Sequence, residues 1–145
     1  MLKGISPLIS PDLLKALDEM GHGDYLVIAD GNFPSESVGK NAKVIRADGH
    51  GVPEILDAVL SLVPLDQYVE KPVALMEVVP GDTCGTPVIW DKYKEILNKY
   101  EPDNHQIEMT ERFAFYEKAK GAYLIIATGE TAIYANILLQ KGVVK

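Results

Sequence analysis

Two residues able to carry acid/base chemistry bracket one apolar run near the start of the chain. His22 sits between Gly21 and Gly23, and Asp30 ends the run Tyr25-Leu26-Val27-Ile28-Ala29. Histidine has the unperturbed pKa nearest neutral pH, and flanking glycines allow a sharp turn that leaves its imidazole uncrowded. A carboxylate at the carboxyl end of a strand stands where α/β proteins place ligand-binding groups. Farther on, Tyr134 and Asn136 are spaced i, i+2. On an extended strand both face one side and offer a phenol and an amide suited to hydroxyl groups. Arg112 opens the aromatic segment Arg112-Phe113-Ala114-Phe115-Tyr116-Glu117. A cation at a helix start opposes the helix dipole, which raises the weight of a specific role for it. The two phenylalanines of that segment read as core.

Each of these residues also has a plain structural reading. His22 can be a surface residue of a turn, Asp30 a turn former before glycine, and Tyr134 and Asn136 the wet face of an edge strand. His50 repeats the Gly-His-Gly pattern and is a decoy, while His105 follows the turn-like Pro102-Asp103-Asn104. The three histidines have no metal-site spacing. No nucleotide-binding glycine fingerprint and no nucleophile elbow is present. The residues by themselves reach as far as acid/base work on a neutral, polyhydroxylated ligand.

Composition supports that direction. A formal net charge of −7 with no basic cluster disfavours nucleic acid and anionic lipid as partners. With 47 % hydrophobic and 24 % charged residues, the 145-residue chain has the make-up of an ordinary globular protein. The single cysteine, Cys84, excludes an intramolecular disulfide and lies in the loop-like Pro80–Pro87 stretch. A reducing compartment is the simplest expectation. The N-terminus lacks a signal-peptide pattern, and the apolar runs fall short of the ~20 residues of a membrane helix. A cytoplasmic protein is expected.

The elements that must position these residues alternate along the chain. Ser10 caps a helix starting at Pro11, with Leu13, Leu14, Leu17 and Met20 on one face and Gly21 closing it. A strand follows from Tyr25 to Ala29, then a break at Gly31-Asn32-Phe33-Pro34 and loop to Lys43. Val44-Ile45 reads as a short strand and Pro53 to Val63 as a helix. Val73 to Val79 reads as a strand, Pro87 to Lys99 as a helix, and Gln106 to Met109 as a short strand. Arg112 to Lys120 is expected to be helical, Ala122 to Thr128 a strand, and Ile133 to Leu139 the last strand, although Ala132, Ala135 and Leu138-Leu139-Gln140-Lys141 would also suit a helix. This alternation predicts one α/β domain over residues 1–145, with a central, mostly parallel sheet flanked by helices.

Several phrases in one order resemble the fucose branch of the ribose pyranase/fucose mutarotase family. They are Ile5-Ser6-Pro7-Leu8-Ile9-Ser10-Pro11, Glu19-Met20-Gly21-His22-Gly23-Asp24, Asp30 with Phe33-Pro34, and Val44-Ile45-Arg46-Ala47-Asp48-Gly49. Gly81-Asp82-Thr83, the segment from Arg112 to Glu117, and Thr128-Gly129-Glu130 leading to Tyr134-Ala135-Asn136-Ile137 complete the match. The resemblance implies an enzyme that equilibrates the anomers of a free sugar, L-fucose first, and needs no cofactor or metal. It makes His22 the acid/base and Asp30, Tyr134 and Asn136 sugar-binding residues. Arg112 stands where the ribose branch carries histidine, and Tyr116, in place of a lysine of that branch, is a further sugar contact. Ribose pyranase-type interconversion and sugar binding without catalysis are the other readings. The family forms rings, commonly decamers, with sites near subunit boundaries, so a homo-oligomer is expected. Geometry leads the same way. Five strand residues span about 17 Å, so a straight strand separates His22 from Asp30 unless the turn folds back or a neighbouring copy completes the site. In the chemistry expected, His22 moves the proton, Asp30 holds the sugar and orients the imidazole, and Tyr134 can share the proton transfer.

Overall fold

Short apolar runs bounded by glycine or proline form six strands, and amphipathic stretches form five helices, in a computed structural model that describes residues 1–145. In chain order these are α1 (Pro11–Glu19), β1 (Tyr25–Ala29), α2 (Ser35–Val38), β2 (Lys43–Ala47), α3 (Val52–Leu60) and β3 (Val73–Met76). They continue with α4 (Ile89–Tyr100), β4 (Ile107–Thr110), α5 (Arg112–Lys120), β5 (Leu124–Thr128) and β6 (Ile137–Gln140). The strands make one sheet in the order β2-β5-β1-β6-β3-β4. All neighbouring pairs are parallel except those of β6, which runs antiparallel between β1 and β3. The expected mostly parallel α/β sheet is the one observed.

Alternation along β1 explains the two layers around the sheet. Leu26 and Ile28 join a core cluster with Leu13 and Leu17 of α1, Ile55 and Val59 of α3, and Tyr93 and Leu97 of α4. Val27 and Ala29 face the other way, against Phe115 and Ala119 of α5. Because both faces are covered, the central strands are apolar at nearly every position. At roughly 1.5–3 kcal/mol for each large side chain removed from water, these two clusters hold the sheet between its helices. Ser10 caps α1 by accepting the Leu13 N–H, and Pro11 occupies its first turn as expected.

Four local expectations are corrected. Residues expected as loop after Pro34 form the single turn of α2, and Phe33 beside it is buried against the Phe115 and Tyr116 rings. Met20, in extended conformation, caps α1 in place of Gly21. The third strand stops at Met76, three residues before Val79, because its ladder with β4 ends at the Met76–Thr110 pair. The last strand begins at Ile137 rather than Ile133, so Tyr134 and Asn136 precede it. Their shared orientation does not come from a strand pleat; Tyr134 has a left-handed backbone, φ 54°.

Candidate active site

The carboxyl end of β1 delivers Asp30 to a cavity of about 250 Å³, and the start of β6, the N-terminus of α5 and the end of β3 close around it. That volume lies below the ~300 Å³ at which drug-sized sites begin, and is of monosaccharide scale. Asp30, Arg112, Tyr116, Tyr134 and Asn136 all line it. Every sugar contact expected from the sequence is thus in one place, although the reason offered for Tyr134 and Asn136 was wrong.

The turn before β6 is held from both sides. The Trp90 indole N–H donates to the Tyr134 carbonyl at 2.8 Å and the Tyr93 hydroxyl to the Ala135 carbonyl at 2.6 Å, both from α4. From β1, Asp30 Oδ2 accepts the Ala135 N–H at 3.3 Å, and the Asp30 N–H donates to Asn136 Oδ1 at 2.7 Å. With these carbonyls committed to side chains, residues 134–136 cannot enter the ladder, and the left-handed Tyr134 is over-determined by its surroundings. Such a residue costs about 1–3 kcal/mol and points to a functional placement. Asn136 thereby keeps its Nδ2 for whatever fills the cavity.

Asp30 is only 5 % exposed. Burial pushes its carboxyl above the usual carboxylate range, partly offset by the backbone N–H groups of Asn32, Ala135 and Phe33. The result is a pre-positioned acceptor whose charge is poorly solvated and which gains by meeting sugar hydroxyls. Opposite it, the Tyr134 hydroxyl donates to Asp82 Oδ2 at 2.7 Å. That bond raises the phenol and lowers the Asp82 carboxyl, so at neutral pH the phenol holds its proton.

Arg112 lies over two rings, with its guanidinium carbon 5.4 Å from the Phe113 centroid and 5.7 Å from that of Tyr116. Its position at a helix start is compensated locally, because Glu111 caps α5 by accepting the Phe113 and Ala114 N–H groups. Phe115 is core as expected, but Phe113 is 66 % exposed. Asp82 and Val79 also line the cavity and were missed as site residues. The only signal for Asp82 was its place in Gly81-Asp82-Thr83, a turn that gains meaning once it is seen against Tyr134.

His22 does not join this cavity. It occupies the turn entering β1, at the opposite end of the strand from Asp30. The turn is stitched down in place: Gly23 N–H donates to Lys141 O at 2.8 Å, Lys141 N–H to Asp24 O at 2.9 Å, and Gly21 N–H to Asp24 Oδ2 at 2.7 Å. It therefore does not fold back over the strand, and within the chain Asp30 does not orient the imidazole. The neighbour of His22 is Asp66, 3.0 Å from its Nε2 and unremarked in the sequence. His50 pairs with Glu54 on α3, and His105 with the Glu101 carbonyl, both outside the cavity. No group of three or more His, Cys, Asp or Glu side chains is arranged to hold a metal ion, and no helix is long and apolar enough to cross a membrane.

The model of the RbsD / FucU transport protein family matches residues 3–144. The crystal structure of FucU from Bifidobacterium longum is 61 % identical, covers 99 % of this chain and 100 % of its own, and superposes with a TM-score of 0.95. A fucose mutarotase from Streptococcus pneumoniae, solved in complex with L-fucose, is 51 % identical with a TM-score of 0.92, over 99 % of this chain and all of its own. An L-fucose mutarotase of Actinobacillus pleuropneumoniae serotype 5b is 51 % identical over 143 residues, 99 % of this chain and 97 % of the other.

Proposed function

This chain belongs to the RbsD / FucU transport protein family, and from that premise we propose that it interconverts the α and β anomers of L-fucose by acid/base opening and closing of the sugar ring. The observation that carries this reading is the convergence of Asp30, Arg112, Tyr116, Tyr134 and Asn136 on one cavity of monosaccharide size. In the chemistry, a base takes the proton of the anomeric hydroxyl while an acid protonates the ring oxygen. The resulting aldehyde turns about C1–C2 and recloses on its other face. Such proton transfer contributes typically 10²–10⁴-fold.

In this reading His22 moves the anomeric proton. Asp30, Arg112, Tyr116 and Asn136 bind hydroxyls, and the Tyr134 phenol, kept protonated by Asp82, serves as the acid at the ring oxygen. Since His22 and the cavity lie at opposite ends of β1, the histidine of a neighbouring copy completes each site. The working enzyme is then a homo-oligomer, a decamer on the pattern of the family, acting in the cytoplasm. A fully active monomer in light scattering would defeat the shared site.

Saturation-transfer NMR with L-fucose and with D-ribose tests the activity. Faster exchange between fucose anomers is expected, and His22→Ala should bring exchange to the uncatalysed rate. Exchange with ribose alone would reassign the substrate, and shifts or broadening without exchange would make the protein a sugar binder.

A further inference from the structure

The stretch that joins β3 to α4 passes beside the cavity and is tied to it at one atom. All eight residues from Val79 to Thr86 are exposed. Gly81 (φ 92°) and Gly85 (φ 69°) turn the chain, and at either one the space around a Cβ is empty to 4 Å. Inside the stretch, the Asp82 N–H donates to the Val79 carbonyl at 3.0 Å and the Cys84 N–H to Asp82 Oδ1 at 3.0 Å. Its hydrogen bonds to the rest of the protein all end on Tyr134 Oη, which donates to Asp82 Oδ2 at 2.7 Å and accepts the Val79 N–H at 3.3 Å. Val79 and Asp82 line the cavity, so the stretch is a strap that forms one of its walls. The backbone of Tyr134 is held independently of the strap, by the Trp90 indole on its carbonyl at 2.8 Å. The phenolic hydrogen can still turn about its own C–O bond.

We propose that residues 79–86 gate the sugar cavity and that the Tyr134 hydroxyl is their latch, released when the phenol turns from Asp82 to the sugar. The inference rests on the reading of Tyr134 as the acid at the ring oxygen. A phenol has one hydrogen to give, and in the sugar-free protein Asp82 holds it. In the step, His22 takes the proton of the anomeric hydroxyl, C1=O forms as the C1–ring oxygen bond breaks, and the phenol proton passes to the ring oxygen. That proton cannot serve Asp82 and the ring oxygen together, so the shorter of the two ties is given up whenever the acid acts. The phenolate left behind repels the Asp82 carboxylate. The other tie, from Val79, is the longer and weaker one. Reclosure on the other face returns each proton, and the latch re-forms once the sugar has left. The bond to Asp82 is thereby also a restraint on the acid, because a charged acceptor holds the proton until the ring oxygen competes for it.

Cys84 is the only cysteine of the chain and is exposed within the strap, so a nitroxide label there reads the latch on the full-length assembled protein. Without sugar the wild-type spectrum should be restricted, and Tyr134→Phe, which removes both ties, should shift it to a mobile form. Saturating L-fucose should shift the wild type the same way. Millisecond deuterium uptake by residues 77–88 of the unlabelled proteins should rise in step. Asp82→Asn should loosen the strap as well, and raise both KM and kcat for fucose exchange. The rise in kcat should reach about ten-fold, the scale of one hydrogen bond to a charged group. A strap of purely structural role would lower kcat instead. A Tyr134→Phe strap as restricted as the wild type overturns the latch. A wild-type strap that L-fucose leaves unchanged or tightens overturns the release, and a lowered kcat in Asp82→Asn overturns the restraint on the acid. A wild type that does not speed fucose exchange, with Tyr134→Phe still loosening the strap, would instead remove the reading on which the release rests, so the two failures are distinguishable.

Discussion

At the residue scale, the cavity is a set of polar groups whose geometry is settled before a sugar arrives. Asp30 has both oxygens on backbone N–H groups, and Asn136 has its oxygen on the Asp30 N–H. Tyr134 is the group with most to lose by a small change. Its hydroxyl donates to Asp82 and accepts the Val79 N–H at 3.3 Å, so it ties the 77–88 loop to the cavity as well as facing the ligand. Tyr134→Phe should therefore raise KM for fucose about ten-fold, the scale of one hydrogen bond to a charged partner, and lower kcat if the phenol is the acid. Anomer-exchange kinetics over a range of fucose concentrations separates the two effects, and unchanged values would remove Tyr134 from the site. The residue types at these positions were legible in the sequence. The partners Asp82 and Asp66 were not, because an aspartate in a turn has the same signature whether it meets solvent, a phenol or an imidazole.

At the scale of elements, most strands and helices could be read from apolar spacing and from Pro and Gly boundaries, as with α1, β1, α5 and β5. The late start of β6 has a definite cause: backbone groups taken by side chains from a distant element. Trp90 and Tyr93 of α4 hold the carbonyls of Tyr134 and Ala135, and a strand cannot form where its carbonyls are spent. Spacing within 133–139 contains no trace of α4. A second inter-element link joins α1 to β2, where Glu19 bonds Lys15 at 2.6 Å and Lys43 at 2.9 Å. Those hydrogen bonds hold the Glu19 carboxyl at about 2, well below the ordinary 4.5. A folded-state value below the unfolded one contributes stability that is present above the unfolded value and lost as pH falls through the folded one. Wild type should thus exceed Glu19→Gln in melting temperature at neutral pH, with the gap closing as pH drops from about 4.5 towards 2. A gap independent of pH would show that the carboxylate charge is not what links α1 to β2.

At the scale of the whole molecule, β6 decides the outcome. Running antiparallel between β1 and β3, it brings the turn before it, Tyr134 to Asn136, to the carboxyl ends of the parallel strands, and its own end at Gln140, with Lys141 after it, to the His22 turn. One strand thus organises the cavity at one edge and the His22–Asp66 pair at the other. If each working site joins the cavity of one copy to His22 of the next, two inactive variants should rescue each other. Co-assembled His22→Ala and Asp30→Ala, mixed equally, would carry both native groups at about a quarter of the sites, and exchange NMR on the mixed assembly should recover that share; no recovery would place the whole reaction in one chain. By itself the sequence determined the residue chemistry, the alternation of elements and the family resemblance, because residue type, local spacing and short phrases are properties of adjacent positions. Even the separation of His22 from Asp30 followed from the rise of a strand. Only the tertiary structure decided that the turn stays down at its own end of β1, that Asp66 is the carboxylate beside His22, and that Tyr134 faces the cavity from a pinned turn. Each of these depends on contacts between segments dozens of residues apart, which local spacing does not encode.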